Sequence, residues 1–141
     1  NYRMTEIQGA IGKVQIKKLN KLLSDNKIKY NLLKKLTNKF KKRNMPKYGQ
    51  ANFDTFIFFV NNDLQKKKIL NTLKKYKIGT KNLPDAIKWH CSYYWKHIFN
   101  SKERKSMILT KNILDKAIAI PILYKKKISF YQSLGTAIKN I

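Results

Sequence analysis

Apolar residues recur at helical intervals through the opening of the chain. Ile7, Ala10, Ile11, Val14, Leu19, Leu22 and Leu23 form one stripe, and Ile28, Leu32, Leu33, Leu36 and Phe40 continue it. Thr5 and Gln8 have the spacing of a capping box, so the pattern predicts a helix from Thr5 to about Phe40. Ser24, Asp25 and Asn26 interrupt the stripe, and they read as a polar turn of one long helix rather than a break. The basic stretch Lys41 to Ala51 carries Pro46 and Gly49 and reads as a loop.

Phe53 to Val60 is the clearest strand. It is aromatic and β-branched on both faces, which predicts cover on both sides. Asn61 or Asn62 caps a helix from Asp63 to about Tyr76, with Leu64, Ile69, Leu70, Leu73 and Tyr76 as its apolar positions. Gly79 is the expected stop. Thr80 to Asn100 is irregular and dense in aromatic and polar groups. Ser101 then caps a helix to about Leu114, Ala117 to Ile122 is a short apolar strand, and Ser129 to Ile141 is an amphipathic helix with Phe130, Leu134, Ala137 and Ile138 inward. This order predicts an α/β or α+β unit: a long helix over residues 1–40, then a small sheet covered by helices over 51–141. Two strands make a thin sheet. A third is expected in the Lys77–Asn82 region or in a part of the protein outside this chain.

Composition narrows the picture. With 43% hydrophobic and 12% aromatic residues, 141 residues can build one modest core. No apolar run approaches the length of a membrane-spanning helix. A single cysteine, Cys91, excludes an internal disulfide and a four-cysteine zinc site. No secretory signal is visible, and the absence of an initiator Met suggests a processed chain or a fragment. The formal net charge of +25 points first to nucleic acid or anionic membranes. Only three basic residues are arginines, Arg3, Arg43 and Arg104, whereas nucleic-acid readers exploit arginine's planar fork. Lysine, Asn and Ile all have A/T-rich codons, so codon bias explains the lysine excess without a partner. The lysine runs at Lys66–Lys68 and Lys125–Lys127 read as solvated faces.

Two segments can carry chemistry. Asn1, Tyr2 and Arg3 precede the capped helix start, where free N–H groups and the positive end of the dipole suit an anion. The plainer alternative is an ordinary cap with solvent-facing polar residues. Both tryptophans and both histidines fall between Trp89 and His97, in Trp89-His90-Cys91-Ser92-Tyr93-Tyr94-Trp95-Lys96-His97. Such a cluster can line a pocket for a sugar or cofactor, or it can form a small aromatic core with His90 hydrogen-bonded inside. Adjacent His90 and Cys91 are poor chelators of one ion, and no metal site is expected. The seven acidic residues are scattered, and there is no phosphate-binding glycine loop, HExxH or GxSxG motif.

The run Asn1-Tyr2-Arg3-Met4-Thr5-Glu6-Ile7-Gln8-Gly9-Ala10-Ile11-Gly12, followed by Val14, Gln15, Ile16 and Leu19, resembles a signature of the DegT-type sugar aminotransferases. In those pyridoxal-phosphate enzymes of fold type I, an N-Y/F-R-M-T/S-E/D-L/I-Q-A-A-x-G run opens the long helix leading into the C-terminal domain. Phe53–Val60, Leu64–Gly79, His90 and Ile118-Ala119-Ile120-Pro121-Ile122 resemble later family elements at lower stringency. Gly79-Thr80-Lys81-Asn82-Leu83-Pro84-Asp85-Ala86, with Trp89-His90-Cys91 and Tyr94-Trp95-Lys96-His97, is similar to the branch that aminates the terminal carbon of an octulosonate sugar.

The resemblance implies the C-terminal small domain of a cytoplasmic, homodimeric aminotransferase. Such an enzyme moves an amino group from an amino acid, commonly glutamate, to a keto-sugar in cell-surface polysaccharide synthesis. It implies that Asn1 reaches the cofactor phosphate of the partner subunit, that Arg3 supports the same edge, and that His90, with Trp89 and Tyr94, faces the substrate. The family's Schiff-base lysine and its acidic pyridine partner lie upstream of the N-Y-R-M motif. The resemblance therefore implies no catalytic residue within these 141 residues and an inactive chain when alone. It implies neither a membrane nor a specific nucleic acid as partner. A small lysine-rich nucleic-acid-binding protein is the alternative; it explains the charge but not the motif.

Overall fold

A computed structural model describes residues 3–45 and 48–141. The opening helix, α1, runs unbroken from Glu6 to Leu36. Its predicted capping box is present: Thr5 Oγ1 accepts from the Gln8 N–H at 3.2 Å, and Gln8 Oε1 accepts from the Thr5 N–H at 3.0 Å. Ser24, Asp25 and Asn26 lie inside the helix as one polar turn.

The segment expected as a loop contains a strand. Lys41–Lys42 forms β1, which pairs antiparallel with β2, Thr55–Phe59. Two lysines carry no alternation, so this strand is set by its partner rather than by its own pattern. β3, Ala117–Pro121, pairs antiparallel with the other edge of β2, giving the order β1-β2-β3. The register places Phe56 opposite Ile120 and Phe58 opposite Ile118, so four large apolar side chains share one face. Only that face of β2 is fully buried. Thr55, Ile57 and Phe59 on the other face are half-buried, short of the cover expected on both sides.

The Lys77–Asn82 segment, where a third strand was expected, forms none. It leads into a turn that lies along the free edge of β3, where the Lys81 N–H donates to Ala119 O at 2.9 Å and the Ala119 N–H donates to Leu83 O at 3.0 Å. Both backbone groups of Ala119 are thereby satisfied, and the edge is blocked without a ladder.

Helix α2, Asp63–Lys75, is capped by Asn62, whose side chain accepts from the Gln65 N–H at 2.9 Å. Lys77, with φ of 51°, takes the left-handed position that ends it, two residues before the expected Gly79. Short helix α3, Ile87–His90, leads to a 3₁₀ turn at Ser92–Tyr94. The next helix was expected as one piece capped by Ser101. Asn100 is the cap instead, in a second capping box with Glu103, and the helix splits at Met107 into α4, Ser101–Ser106, and α5, Ile108–Asp115. The final helix, α6, spans Ile128–Lys139 and buries Tyr131, Leu134, Gly135 and Ile138.

The core joins Tyr30 and Leu33 of α1, Phe56 and Phe58 of β2, Ile69 and Leu73 of α2, Ile118 and Ile120 of β3, and the buried face of α6. All of it lies beyond residue 28 on α1. Earlier in that helix Ile7, Ile11 and Val14 are exposed, Ile7 at 73%. The apolar stripe predicted there exists, and nothing among the described residues covers it. The aromatic strand, by contrast, is covered on its main face. Among the described residues no helix is long and apolar enough to cross a membrane.

Candidate functional site

The helix start comes first. Asn1 lies outside the described residues, and Arg3 is exposed just before the cap. The capping box already occupies the N–H groups of Thr5 and Gln8, and Glu6 places a carboxylate in the first turn. The box thus takes two N–H groups at the start of α1 and Glu6 adds negative charge, which reduces its attraction for an outside anion.

The aromatic segment is an anchored surface. Trp89 is 81% exposed, and His90 is exposed as well, so of the two alternatives the small core with His90 inside does not form. The buried member is Cys91. The Tyr94 hydroxyl donates to Asp115 Oδ1 at 2.8 Å, and Lys111 donates to the same carboxylate. Burial pushes the Asp115 carboxyl up, but the bonds from Lys111 and Tyr94 outweigh it and hold the group below its ordinary range. Burial, then the bond to Asp115, raises the Tyr94 phenol. Trp95 Nε1 donates to Lys88 O at 2.9 Å, and the indole stacks on Phe99 at 6.4 Å. Tyr94 thus ties the 3₁₀ turn to α5, and the exposed members of the segment are Trp89, His90, Lys96 and His97.

A cavity lies elsewhere, in a place no local motif marked. It has a volume of about 260 Å³, and Tyr30, Arg43, Asn52, Asp54 and Lys81 supply its polar groups. Five separate stretches of chain meet there: α1, the end of β1, the approach to β2, the turn after α2, and β3 through Ala119. Two lining residues, Phe53 with φ of 52° and Asn82 with φ of 70°, hold left-handed backbone. That conformation is costly for a bulky residue such as Phe and clusters at functional sites. Lys81 Nζ meets Asp54 Oδ2 at 2.6 Å. The Lys81 hydrogen bond lowers the Asp54 carboxyl against the opposing effect of burial, and the Thr55 hydroxyl adds to the lowering. The Tyr30 phenol is raised, because burial outweighs the pull of Arg43. It therefore remains a protonated donor at neutral pH.

A wider groove of about 550 Å³ runs along the half-covered face of the sheet, between Lys41, Lys42, Phe59, Leu109 and Ile113. Lys42 has its amine on the carbonyls of Thr37 and Phe40. Burial, aided by Lys34, lowers its pKa.

A model of the DegT/DnrJ/EryC1/StrS aminotransferase family matches residues 1–128. The chain belongs to that family. No curated protein matches it. Enzymes of the family are generally dependent on pyridoxal phosphate, so the described residues can be tested against that cofactor. A pyridoxal site needs a free lysine amine at one end of the ring and an acid at the nitrogen on the other. In the smaller cavity the lysine and the acid, Lys81 and Asp54, are in contact with each other and cannot serve opposite ends. In the groove Lys42 has the lowered pKa, but no acidic residue lines the space. Lys29 is spent on the carbonyls of Leu123 and Tyr124, at 3.1 Å each. Neither of these two spaces fits the cofactor as its main site.

Proposed function

We propose that this chain is the substrate-side portion of a sugar aminotransferase that moves an amino group from an amino acid, with glutamate the favoured donor, to a keto-sugar. The match over residues 1–128, opening on Asn1-Tyr2-Arg3-Met4-Thr5-Glu6-Ile7-Gln8, carries the reading. The Gly79–Ala86 and Trp89–His97 segments favour an 8-keto octulosonate as acceptor, and with it a role in cell-surface polysaccharide synthesis by a cytoplasmic homodimer. In this reading pyridoxal phosphate is held mainly by residues outside these 141. Asn1 and Arg3 stand at the partner's cofactor edge, and Trp89 and His90 face the substrate. Tyr94 keeps that surface in place through Asp115.

The contact between Lys81 and Asp54 supports placing the cofactor elsewhere. The purified chain, mixed with pyridoxal phosphate, glutamate and a keto-sugar acid, is expected to show no borohydride-fixable cofactor absorbance above that of its other surface lysines. It is also expected to form no 2-oxoglutarate. Sustained turnover by the chain alone contradicts the assignment.

A further inference from the structure

We propose that the cavity between α1, β1 and the turn at Lys81 is an oxyanion subsite, in which the Arg43 guanidinium and the Tyr30 hydroxyl together take one carboxylate or phosphate group of a small ligand. Both donors line the cavity, and both lean on the same atom. Arg43 Nη2 lies 3.8 Å from Met45 Sδ, and the Tyr30 hydroxyl lies 3.9 Å from it. A thioether is a weak acceptor at such distances. Tyr30 is only 5% exposed as a residue, and it lines a cavity with room for a ligand group. Arg43 is exposed and Tyr30 buried, and where these two strong donors converge on a poor acceptor an oxyanion binds better than the thioether. An ionised acceptor makes shorter and roughly twice stronger bonds.

The residue type supports this. Arg43 is one of three arginines beside 29 lysines, and it supplies the planar fork that a lysine lacks. Asp54 does not cancel it, because Lys81 already neutralises that carboxylate. Asn52 and Asn82 add amide groups to the lining, suited to neighbouring hydroxyls. The volume of about 260 Å³ is at the small end for ligand sites, so the cavity holds one acidic sugar or one end of a larger ligand.

This deepens the reading of the chain as a sugar-handling part, and it rests on that reading only for the ligand class. The test needs no amino transfer, so the two can fail separately. The ¹⁵N-labelled chain is titrated with glucuronate, glucose 1-phosphate and glucose at about 150 mM salt, which suppresses loose binding to the cationic surface. Saturable shifts are expected around Tyr30, Arg43, Asn52 and Lys81 with at least one of the two anions and not with glucose. Whichever anion binds tighter identifies the group as carboxylate or phosphate. Arg43→Gln is expected to weaken that binding about ten-fold or more, and Tyr30→Phe about three-fold or more, with unchanged folded spectra. Lys125→Gln, in a separate hollow with Tyr76, Phe130 and Ser133, should leave it unchanged. The proposal is overturned by shifts spread over surface lysines, by equal binding of glucose, by absence of saturation, or by retained affinity in Arg43→Gln.

Discussion

The Tyr131 hydroxyl sits between two backbone groups of the segment leaving β3. It accepts from the Leu123 N–H at 2.6 Å and donates to the Pro121 carbonyl at 3.2 Å. Lys29 reaches the same segment through the carbonyls of Leu123 and Tyr124. Tyr131→Phe keeps the ring and orphans both groups, so it is expected to lower unfolding free energy by about 1–3 kcal/mol in denaturant titration. Gly135 has a different reason to be there. A Cβ at that position would lie 2.6 Å from Leu36 Cδ1 and 3.1 Å from Leu36 Cβ, where α6 crosses α1. Gly135→Ala is expected to destabilise by about 1 kcal/mol or more through overpacking, despite its better helix propensity. Asp54 makes a pH prediction. Its folded pKa lies below the ordinary 3.8, so its contribution is present above that value and lost as pH falls through the folded value. The side chain is 42% exposed, so the effect on stability is small. The direct check is the carboxyl titration by NMR, with a midpoint below 3.8 expected and one at or above it contradicting the Lys81 contact.

At the scale of elements, α1 is two helices in energetic terms. Its last turns are buried through Lys29, Tyr30 and Leu33, while its first turns expose Ile7, Ile11 and Val14. An isolated helical stretch without packing is marginal. Hydrogen exchange on this chain is therefore expected to show rapid exchange over residues 6–20 and strong protection over 29–36, and uniform protection would contradict the packing. The same helix shows what local pattern reveals. Its length, capping box and stripe were all legible, because each is a short-range signal. β1 was not legible, because two lysines join the sheet only through their partner Phe58 and Phe59. The end of α2 was legible, but its stop residue and the cap of α4 were misplaced by one or two positions, since Lys77 and Asn100 do the work that Gly79 and Ser101 also suit. The cavity was hidden for a stronger reason. Tyr30, Arg43, Asp54 and Lys81 are scattered along the chain and meet only after the sheet forms, whereas Trp89 and His90 stand out in sequence yet face outward. Arginine scarcity sets Arg43 apart from the lysines around it, but in sequence it spoke only against nucleic acid and did not mark the cavity.

Over the whole molecule, 32 basic residues face 7 acidic ones, so the folded chain repels itself. Raising salt from about 20 to about 200 mM is expected to raise the melting temperature by screening that repulsion, and a fall would contradict it. The same charge gives nucleic acid affinity of a particular kind: steeply salt-dependent and indifferent to sequence. A clear sequence preference at physiological salt would favour the nucleic-acid alternative instead. The family match places the chain among the DegT/DnrJ/EryC1/StrS aminotransferases, and our proposal adds that the cofactor residues lie outside these 141. The most direct test is the nucleotide sequence immediately upstream of the codon for Asn1. The account predicts a continuous reading frame that encodes a cofactor lysine and an acidic pyridine partner; a start codon or in-frame stop just before Asn1 would contradict it.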